Sequence, residues 1–312
     1  MTLITAAAGL ITPHVDYVSI LPEIILSVVA LLVMLVASVM RRPAPRRTWA
    51  FVTTAASSAS IGASWYLWNQ VQSHGPQQRI SNAVALDGFS VLFLLLISVA
   101  LALGALLAED YLHREGLDGP EFYVLAMLSA VGAMFMAVAN DLIVVFLGLE
   151  TLSIALYVLA GYHARRRESS EAAIKYFVLG AFSSAVFLYG VALVYGATGS
   201  TNLVKIGTFL AQNQLLHNGV LLAGIGLLIV GLGFKVAAVP FHYWSPDVYQ
   251  GAPTPVTGYM AAVAKAAGFA GLLRVLYSAF PTMQSSWQPV ITIVAAVTLV
   301  AGAAGALLQT DI

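Results

Sequence analysis

Three of the four lysines in this sequence lie inside long apolar runs: Lys175, Lys235 and Lys265. A charged side chain at the centre of a membrane span costs about 2.5 to 3.5 kcal/mol on insertion scales. Such residues usually face a partner, water or an ion pathway, and an amine can bind and release a proton. The pattern therefore indicates movement of protons or ions across a membrane.

Glu150 is a second buried charge, in the run DLIVVFLGLETLSIALYVLAGY. It follows Asp141 by nine residues, which places it roughly 13 Å into a helical span, close to mid-membrane. Ser153 and Tyr157 follow at i+3 and i+7 and continue a polar stripe on the same helix face. The stripe predicts a protonatable site on an ion pathway, with a carboxylate that pairs two helices as the alternative.

The stretch GFKVAAVPFHYWSPDVYQGAPTPV (233–256) ends another apolar run. Pro240 offers no N–H to the carbonyl of Val236, so the helix is expected to break or kink just after Lys235. Broken helices at membrane depth are tolerated where they line a hydrated cavity. If helix resumes, His242 lies about two turns, or roughly 10 Å, beyond Lys235, which suits a water-linked relay. The alternative is a simple kink with an incidental histidine.

The two other lysines differ in depth. Lys265 lies ten residues into a span, in MAAVAKAAGFAGLL, and is a candidate proton carrier or, alternatively, a helix–helix hydrogen-bond donor. Lys175 follows an arginine-rich loop closely, so its amine can also reach the membrane surface. Glu23 and Arg274 lie near span ends and are interpreted as packing or interfacial charges, and Asp87 and Asp141 as helix N-caps.

The composition places the chain in a membrane. Of 312 residues 60% are hydrophobic and 9% charged, with a mean hydropathy of +0.87, and the formal net charge of zero gives no reason to expect nucleic acid as a partner. The sequence contains no cysteine. This chain therefore cannot form disulfides, thiolate zinc sites or iron–sulfur ligation of its own. We expect no cofactor and no metal in this chain, so that any redox centre belongs to another chain.

The hydropathy pattern predicts an all-α, polytopic transmembrane bundle of about nine spans. They are placed at 18–40, 48–69, 87–108, 121–139, 141–162, 172–196, 218–244, 255–280 and 287–308, with a short surface helix possible within 196–219. Alternate loops carry eight basic residues on one side (Arg41, Arg42, Arg46, Arg47, Arg114, Arg165, Arg166 and Arg167) against Arg79 and Lys205 on the other. This bias predicts a multi-pass protein with its N-terminus outside.

The sequence also carries a family resemblance in three stretches: FLGLETLSIALYVL (146–159), EAAIKYFVLGAFSSAVFLYGVALVYGATGST (171–201) and FKVAAVPFHYWSPDVYQGAPTPVTGYMAAVAKAAGFA (234–270). They resemble the antiporter-like membrane subunits of respiratory complex I, the bacterial proton-pumping NADH-quinone oxidoreductase. Within that family, the motif SPDVYQGAPTPVT resembles the corresponding stretch of subunit N more than those of subunits M and L. The resemblance covers the chain from about residue 20.

The resemblance implies an antiporter-like fold with a broken seventh helix, in which a glutamate and a lysine form an ion pair and a second lysine continues a hydrated proton path. Matched motif by motif, these roles fall on Glu150, Lys235 and Lys265, with His242 as a relay and Lys175 as a further family lysine on the proton pathway. It implies a translocase of the plasma membrane, with other complex I subunits as partners. NADH, FMN, iron–sulfur clusters and quinone would all be handled by those other subunits.

The resemblance further implies one membrane domain over 1–312, with N-terminal spans over 18–119 and a first five-helix repeat over 120–280. A second inverted repeat would begin at 281–312 and be incomplete, because the sequence stops at LLQTDI. We therefore expect a fragment or a truncated product. Two other functions stay open: a subunit of a multisubunit sodium/proton antiporter, which shares the same helices and charges, and a scaffold whose charges only lock helices together.

Overall fold

The computed structural model describes residues 15–40, 44–45, 47–213 and 215–308. Helices dominate this part of the chain, joined by short connections. In chain order they are a 3-10 turn Tyr17–Ile20, α1 Leu21–Val39, α2 Thr48–His74, α3 Gly88–Arg114, α4 Pro120–Val138, α5 Leu142–Ala160, α6 Arg167–Thr198, α7 Leu203–Gln212, α8 Gly219–Val236, α9 Trp244–Gly251, α10 Thr254–Tyr259, a π-helical turn Met260–Ala264, α11 Lys265–Ala279, a 3-10 turn Pro281–Met283 and α12 Gln284–Leu308.

Eight helical segments within the described ranges are long and apolar enough to cross a membrane. The helix expected at 48–69 is also present, as α2, but it is not among the eight. Its polar residues Thr53, Ser57, Ser60 and Ser64 are buried inside the bundle, where Ser60 Oγ and Ser98 Oγ of α3 lie 2.9 Å apart. An all-α membrane bundle is confirmed, while the count of nine crossings stays a prediction.

The connections gather at two opposite ends of the bundle. At one end a hairpin of β1 (Gln77–Arg79) and β2 (Val84–Leu86) is joined to the α4–α5 and α6–α7 connections through Asn140 and Asn202. The predicted surface helix lies there as α7. At the other end Arg166 and Glu115 pair across the α3–α4 and α5–α6 connections. The described basic residues of the loops are thus separated between the ends as predicted. Arg41, Arg42 and Arg46 lie outside the described residues.

The seventh predicted span is interrupted. Helix α8 ends at Val236, Ala237 has a φ of +57° in the left-handed region, and helix resumes only at Trp244 in α9. Residues 237–243 therefore form a non-helical segment, which we call the break. Because Pro240 cannot continue the hydrogen-bonding of α8, the break occurs where the sequence predicts it, and within the span 218–244 the helix ends at Val236.

Helix α5, which carries Glu150, packs closely against α4 through glycine. A Cβ on Gly148 would lie 2.8 Å from the carbonyl oxygen of Gly132 on α4, so no larger residue fits without movement. Close backbone approach of this kind is how membrane helices associate without a strong hydrophobic driving force. It fixes the polar stripe of α5 toward the centre of the bundle.

Candidate functional site

Lys235 lies at the centre of the bundle, in the last turn of α8, and is only 3% exposed. Its Nζ donates to Ser153 Oγ of α5 at 2.9 Å and to Tyr176 OH of α6 at 3.2 Å. The side chain is thereby held at the meeting point of three helices. Both acceptors are neutral hydroxyls, which can also act as donors.

Glu150 lies one helical turn before Ser153 on the same polar stripe of α5. No contact of 4.0 Å or less joins its carboxylate to Lys235 Nζ among the described residues, and its buried Oε1 has no hydrogen-bond partner there. The α5 residue that Lys235 Nζ contacts is Ser153, at 2.9 Å, and not Glu150. The Glu150–Lys235 ion pair that the resemblance implies is not formed in this arrangement and stays a prediction.

Lys265 is the second lysine of the site and begins α11, directly after the π-helical turn. Its Nζ is buried without a hydrogen-bond partner in the described part of the chain. It lies 4.8 Å from the ring centroid of Trp244 and 5.7 Å from that of Tyr249, both in α9. Aromatic faces attract a cation, so the two rings supply favourable contact for the ammonium form. Single π-helical turns within α-helices are frequent at functional sites.

Two aromatic residues that the sequence analysis did not single out connect the lysines. Tyr176, whose hydroxyl accepts from Lys235, stacks on Trp244 with ring centroids 4.7 Å apart and an angle of 8°. Trp244 in turn contacts Lys265 and donates through Nε1 to the carbonyl of Phe234 at 3.1 Å. Their nearness in the sequence to candidate residues could have identified them, since Tyr176 follows Lys175 and Trp244 follows His242 by two residues.

His242 lies in the break, not on a helix. Its carbonyl accepts from Ser245, and its ring Nδ1 is buried with no partner among the described residues. The two-turn spacing from Lys235 applies only if helix resumes before His242, and helix resumes only at Trp244. A relay role for His242 no longer has that helical geometry as support and rests on the resemblance.

Lys175 is not brought into this site. Its side chain is 42% exposed and forms ion pairs with Glu171 Oε1 at 2.8 Å and Asp247 Oδ2 at 2.5 Å. Asp247 belongs to α9, so the pair ties the start of α6 to the helix that follows the break. The alternative reading of Lys175 as a residue at the surface fits these contacts.

Two of the remaining charges, Asp87 and Asp141, are helix N-caps, as the sequence predicts. Asp87 and Asp141 accept from backbone N–H groups at the starts of α3 and α5. Arg274 binds Asp87 through two nitrogens, at 2.5 and 2.9 Å, and also reaches Ser90 and the carbonyl of Ala137. Burial alone would raise the pKa of Asp87, but the bonds and charge of Arg274 hold that pKa below its usual value. Glu23 is 1% exposed, with both carboxylate oxygens unpartnered among the described residues.

The fold and the site together define a multi-pass helical membrane protein with a lysine beside a broken helix. A family described as NADH:quinone oxidoreductase/Mrp antiporter, TM, matches residues 139–312. That is more than half of the chain, and the chain belongs to this family. Within the described residues, no group of three or more histidine, aspartate or glutamate side chains is placed to hold a metal ion.

Two relatives of this chain carry the name of the same type of subunit. NADH-quinone oxidoreductase subunit N of Trichlorobacter lovleyi is 41% identical over 296 residues, which cover 94% of this chain and 59% of that one. The subunit of the same name from Mycobacterium tuberculosis is 52% identical over 206 residues, covering 66% of this chain and 38% of that one. The chain therefore spans about three fifths or less of these relatives.

A solved structure of a respiratory complex contains a chain with a similar fold. Respiratory complex I from Thermus thermophilus with bound Aureothin contains a chain that is 35% identical, with a TM-score of 0.75. The match covers 93% of this chain and 59% of that chain. The antiporter-like fold that the resemblance implied is thus confirmed for the part of the fold that this chain represents.

Proposed function

We propose that this chain is part of a proton-translocating membrane subunit of NADH-quinone oxidoreductase. The observation that carries the proposal is Lys235, buried beside a broken helix with two neutral hydroxyls as its partners. The subunit N relatives supply the setting, since their names place them in that enzyme. In this setting the chain moves protons, and the enzyme acts as a translocase without redox chemistry in this subunit.

The geometry around Lys235 suits a site that changes protonation state. As an ammonium group it donates to Ser153 and Tyr176, and as a neutral amine it can accept from either hydroxyl. Neither form is left without partners, so the polar contacts survive both loading and release of a proton. Glu150 lies one turn away on α5, and closing the Glu150–Lys235 pair would favour the charged lysine. Opening the pair would release the proton toward Lys265, past the break.

The proposal has consequences for placement and partners. The complex sits in the bacterial plasma membrane, with the N-terminus of this chain on the outer face and the arginine-rich end of the bundle inside. NADH, FMN, iron–sulfur clusters and quinone are bound by partner subunits. Residues 120–280 form the first repeat around the break, and α12 begins a second one.

The test replaces Lys235 by alanine in the full-length subunit within its complex. Proton pumping in inverted vesicles should fall by roughly tenfold or more, because a positioned proton-transfer group is lost. Electron input, measured as NADH oxidation by an artificial acceptor, should be unchanged. Lys205→Ala is the matched control, since that lysine is exposed on α7 at the end of the bundle. Unchanged pumping by Lys235→Ala in an assembled complex would refute the proposal.

A second candidate is a subunit of a multisubunit sodium/proton antiporter, because the family description names the Mrp antiporter beside the oxidoreductase. Its lysines and break would serve the same proton movement, with no NADH-oxidising partner. The two are separated by purifying the tagged native chain and measuring NADH-driven quinone reduction. Copurified flavin and iron–sulfur subunits support the oxidoreductase, and antiporter-type membrane chains alone support the exchanger.

A further inference from the structure

A polar cavity of about 460 Å³ lies at the arginine-rich end of the bundle, where α3, α6, α9 and α10 meet. It is separate from the contacts of Lys235, and the proposed mechanism does not yet use it. Its wall includes Tyr111, His163, Arg166, Glu168, Gln250 and Thr254. One water occupies roughly 30 Å³ of liquid, so the cavity has room for several.

His163 is the most distinctive group in the wall. It is 7% exposed, in the short connection between α5 and α6. Its Nε2 lies 3.3 Å from Glu115 Oε2, and its buried Nδ1 has no partner in the described part of the chain. Imidazole has two nitrogens that can exchange roles as donor and acceptor. A histidine bonded to a carboxylate at one nitrogen and unpartnered at the other can accept a proton at one nitrogen and release it at the other.

The charged groups facing His163 come from two elements. Glu115, just after α3, pairs with His163, and Tyr111 of α3 shares the cavity wall with it. Arg166, just before α6, and Glu168 of α6 complete the charged part of that wall. Arg166 donates to the same Glu115 oxygen at 2.8 Å and is itself 53% exposed. The α9–α10 side of the cavity contributes Gln250 and Thr254, which do not titrate. Glu115 thus links a buried imidazole to a solvent-exposed guanidinium.

The cavity also adjoins the region that leads to Lys265. Gln250 in its wall is next in the chain to Tyr249, whose hydroxyl is buried without a partner among the described residues. The ring centroid of Tyr249 is 5.7 Å from Lys265 Nζ. Thr257 Oγ1 of α10 donates to the Tyr249 carbonyl at 2.9 Å and fixes α9 against α10, which leads through the π-helical turn to Lys265. Tyr249 is therefore next in the chain to the cavity wall at Gln250 and also contacts the buried amine of Lys265 through its ring.

We propose that this cavity is the proton-uptake vestibule of the chain, with the Glu115–His163 pair collecting protons and Tyr249 passing them through water to Lys265. The inference rests on the proposed function and assigns residues to its first step. Glu115 Oε2 takes a proton from solvent and gives it to His163 Nε2. The opposite nitrogen, Nδ1, releases its proton into the cavity, which returns the histidine to its starting charge with the remaining proton on Nε2. Exchange of the proton between the two nitrogens through water, or rotation of the ring, then restores Nε2 as the acceptor for the next transfer.

The test is the pH profile of proton pumping by the intact complex carrying His163→Gln. At about pH 8.5, where protons are scarce, pumping should fall roughly tenfold, and at about pH 6.5 by less than about twofold. His113→Gln is the matched control, because His113 pairs with Asp118 in an exposed position at the same end and lies outside this cavity. Its profile should match the unmodified complex.

Two further variants separate a proton-collecting role from a structural one. Glu115→Gln should give the same loss at alkaline pH, and it carries the test if His163→Gln fails to assemble. His163→Ala should be rescued by added imidazole, since the cavity can admit it. A loss of equal size at every pH, without rescue, would overturn the inference. Lys235→Ala is measured in parallel: if it stops pumping while the His163 and Glu115 variants keep the normal pH profile, this inference fails and the proposed function stands.

Discussion

At the scale of single residues, Lys235 and Lys265 occupy contrasting environments. Lys235 is bonded to two hydroxyls, whereas Lys265 faces aromatic rings and has no hydrogen-bond partner among the described residues. The first environment accommodates both protonation states of an amine through hydrogen bonds. The second environment stabilises the ammonium form only through cation–π contact, which contributes about 0.5 to 2 kcal/mol. The difference suits a pair of sites that pass a proton on.

Tyr176→Phe tests the hydroxyl contact alone. The substitution removes the 3.2 Å bond from Lys235 but keeps the ring that stacks on Trp244. Losing one partner of a buried donor costs about 1 to 3 kcal/mol, so pumping by the full-length subunit should fall several-fold while the complex still assembles. The measurement is the pumping rate in vesicles at constant NADH oxidation.

The control for this substitution is Tyr189→Phe, which removes the hydroxyl of an exposed tyrosine on the same helix. It should pump normally. Equal rates for Tyr176→Phe and the unmodified subunit would show that the hydroxyl is a passive neighbour of Lys235. Ser153 would then be the partner that matters.

At the scale of elements, the sequence could predict the break but not what surrounds it. Pro240 cannot be accommodated within a continuous α8, and this is a local rule. The contact of Trp244 with both Tyr176 and Lys265 depends on how α6, α9 and α11 pack, which no local rule determines. The position of His242 relative to Lys235 depends on the same packing. Helix restarts where Trp244 packs beneath Phe234, two residues later than the histidine.

The break is also held by a helix distant in sequence. Thr298 of α12 accepts through Oγ1 from the backbone N–H of Val239 at 2.9 Å and donates to the carbonyl of Val294. Backbone groups freed by a break at membrane depth must find partners within the protein. Thr298 therefore ties the start of the proposed second repeat to the segment beside Lys235.

Thr298→Val should loosen this tie. It leaves the Val239 N–H without its acceptor at a cost of about 1 to 3 kcal/mol. Hydrogen exchange at the backbone of the break should become several-fold faster, as measured by mass spectrometry of the assembled complex. Thr298→Ser should preserve slow exchange, and Thr292→Val, which removes an exposed hydroxyl of the same helix, should have no effect there. Unchanged exchange in Thr298→Val would mean that another group satisfies Val239.

At the scale of the whole molecule, the two ends of the bundle differ in what holds them. The end with the hairpin is built on backbone and amide bonds among Asn82, Asn140 and Asn202, with Arg274 and Asp87 beneath. The opposite end carries the arginine-rich connection and the cavity with His163. If the chain translocates protons, this asymmetry gives uptake and release different surroundings. The direction of transport then depends on which end faces the cytoplasm.

Labelling of single introduced cysteines determines which end of the bundle faces the cytoplasm. The sequence has no cysteine, so one introduced thiol reports alone. Ala164→Cys is exposed at the arginine-rich end, and His217→Cys is exposed in the connection between α7 and α8 at the other. The positive-inside bias predicts that a membrane-impermeant maleimide labels position 217 in intact cells and position 164 only in inverted vesicles.

The same experiment can contradict both the orientation and the fold, with distinct results. The reversed pattern would place the N-terminus inside, and the vestibule of His163 would then serve release and not uptake. Labelling of both positions from one side would contradict the arrangement of α5 to α8, because an even number of crossings would have to separate them. Detergent-opened membranes, in which both thiols must react, are the control that neither position is covered by a partner subunit.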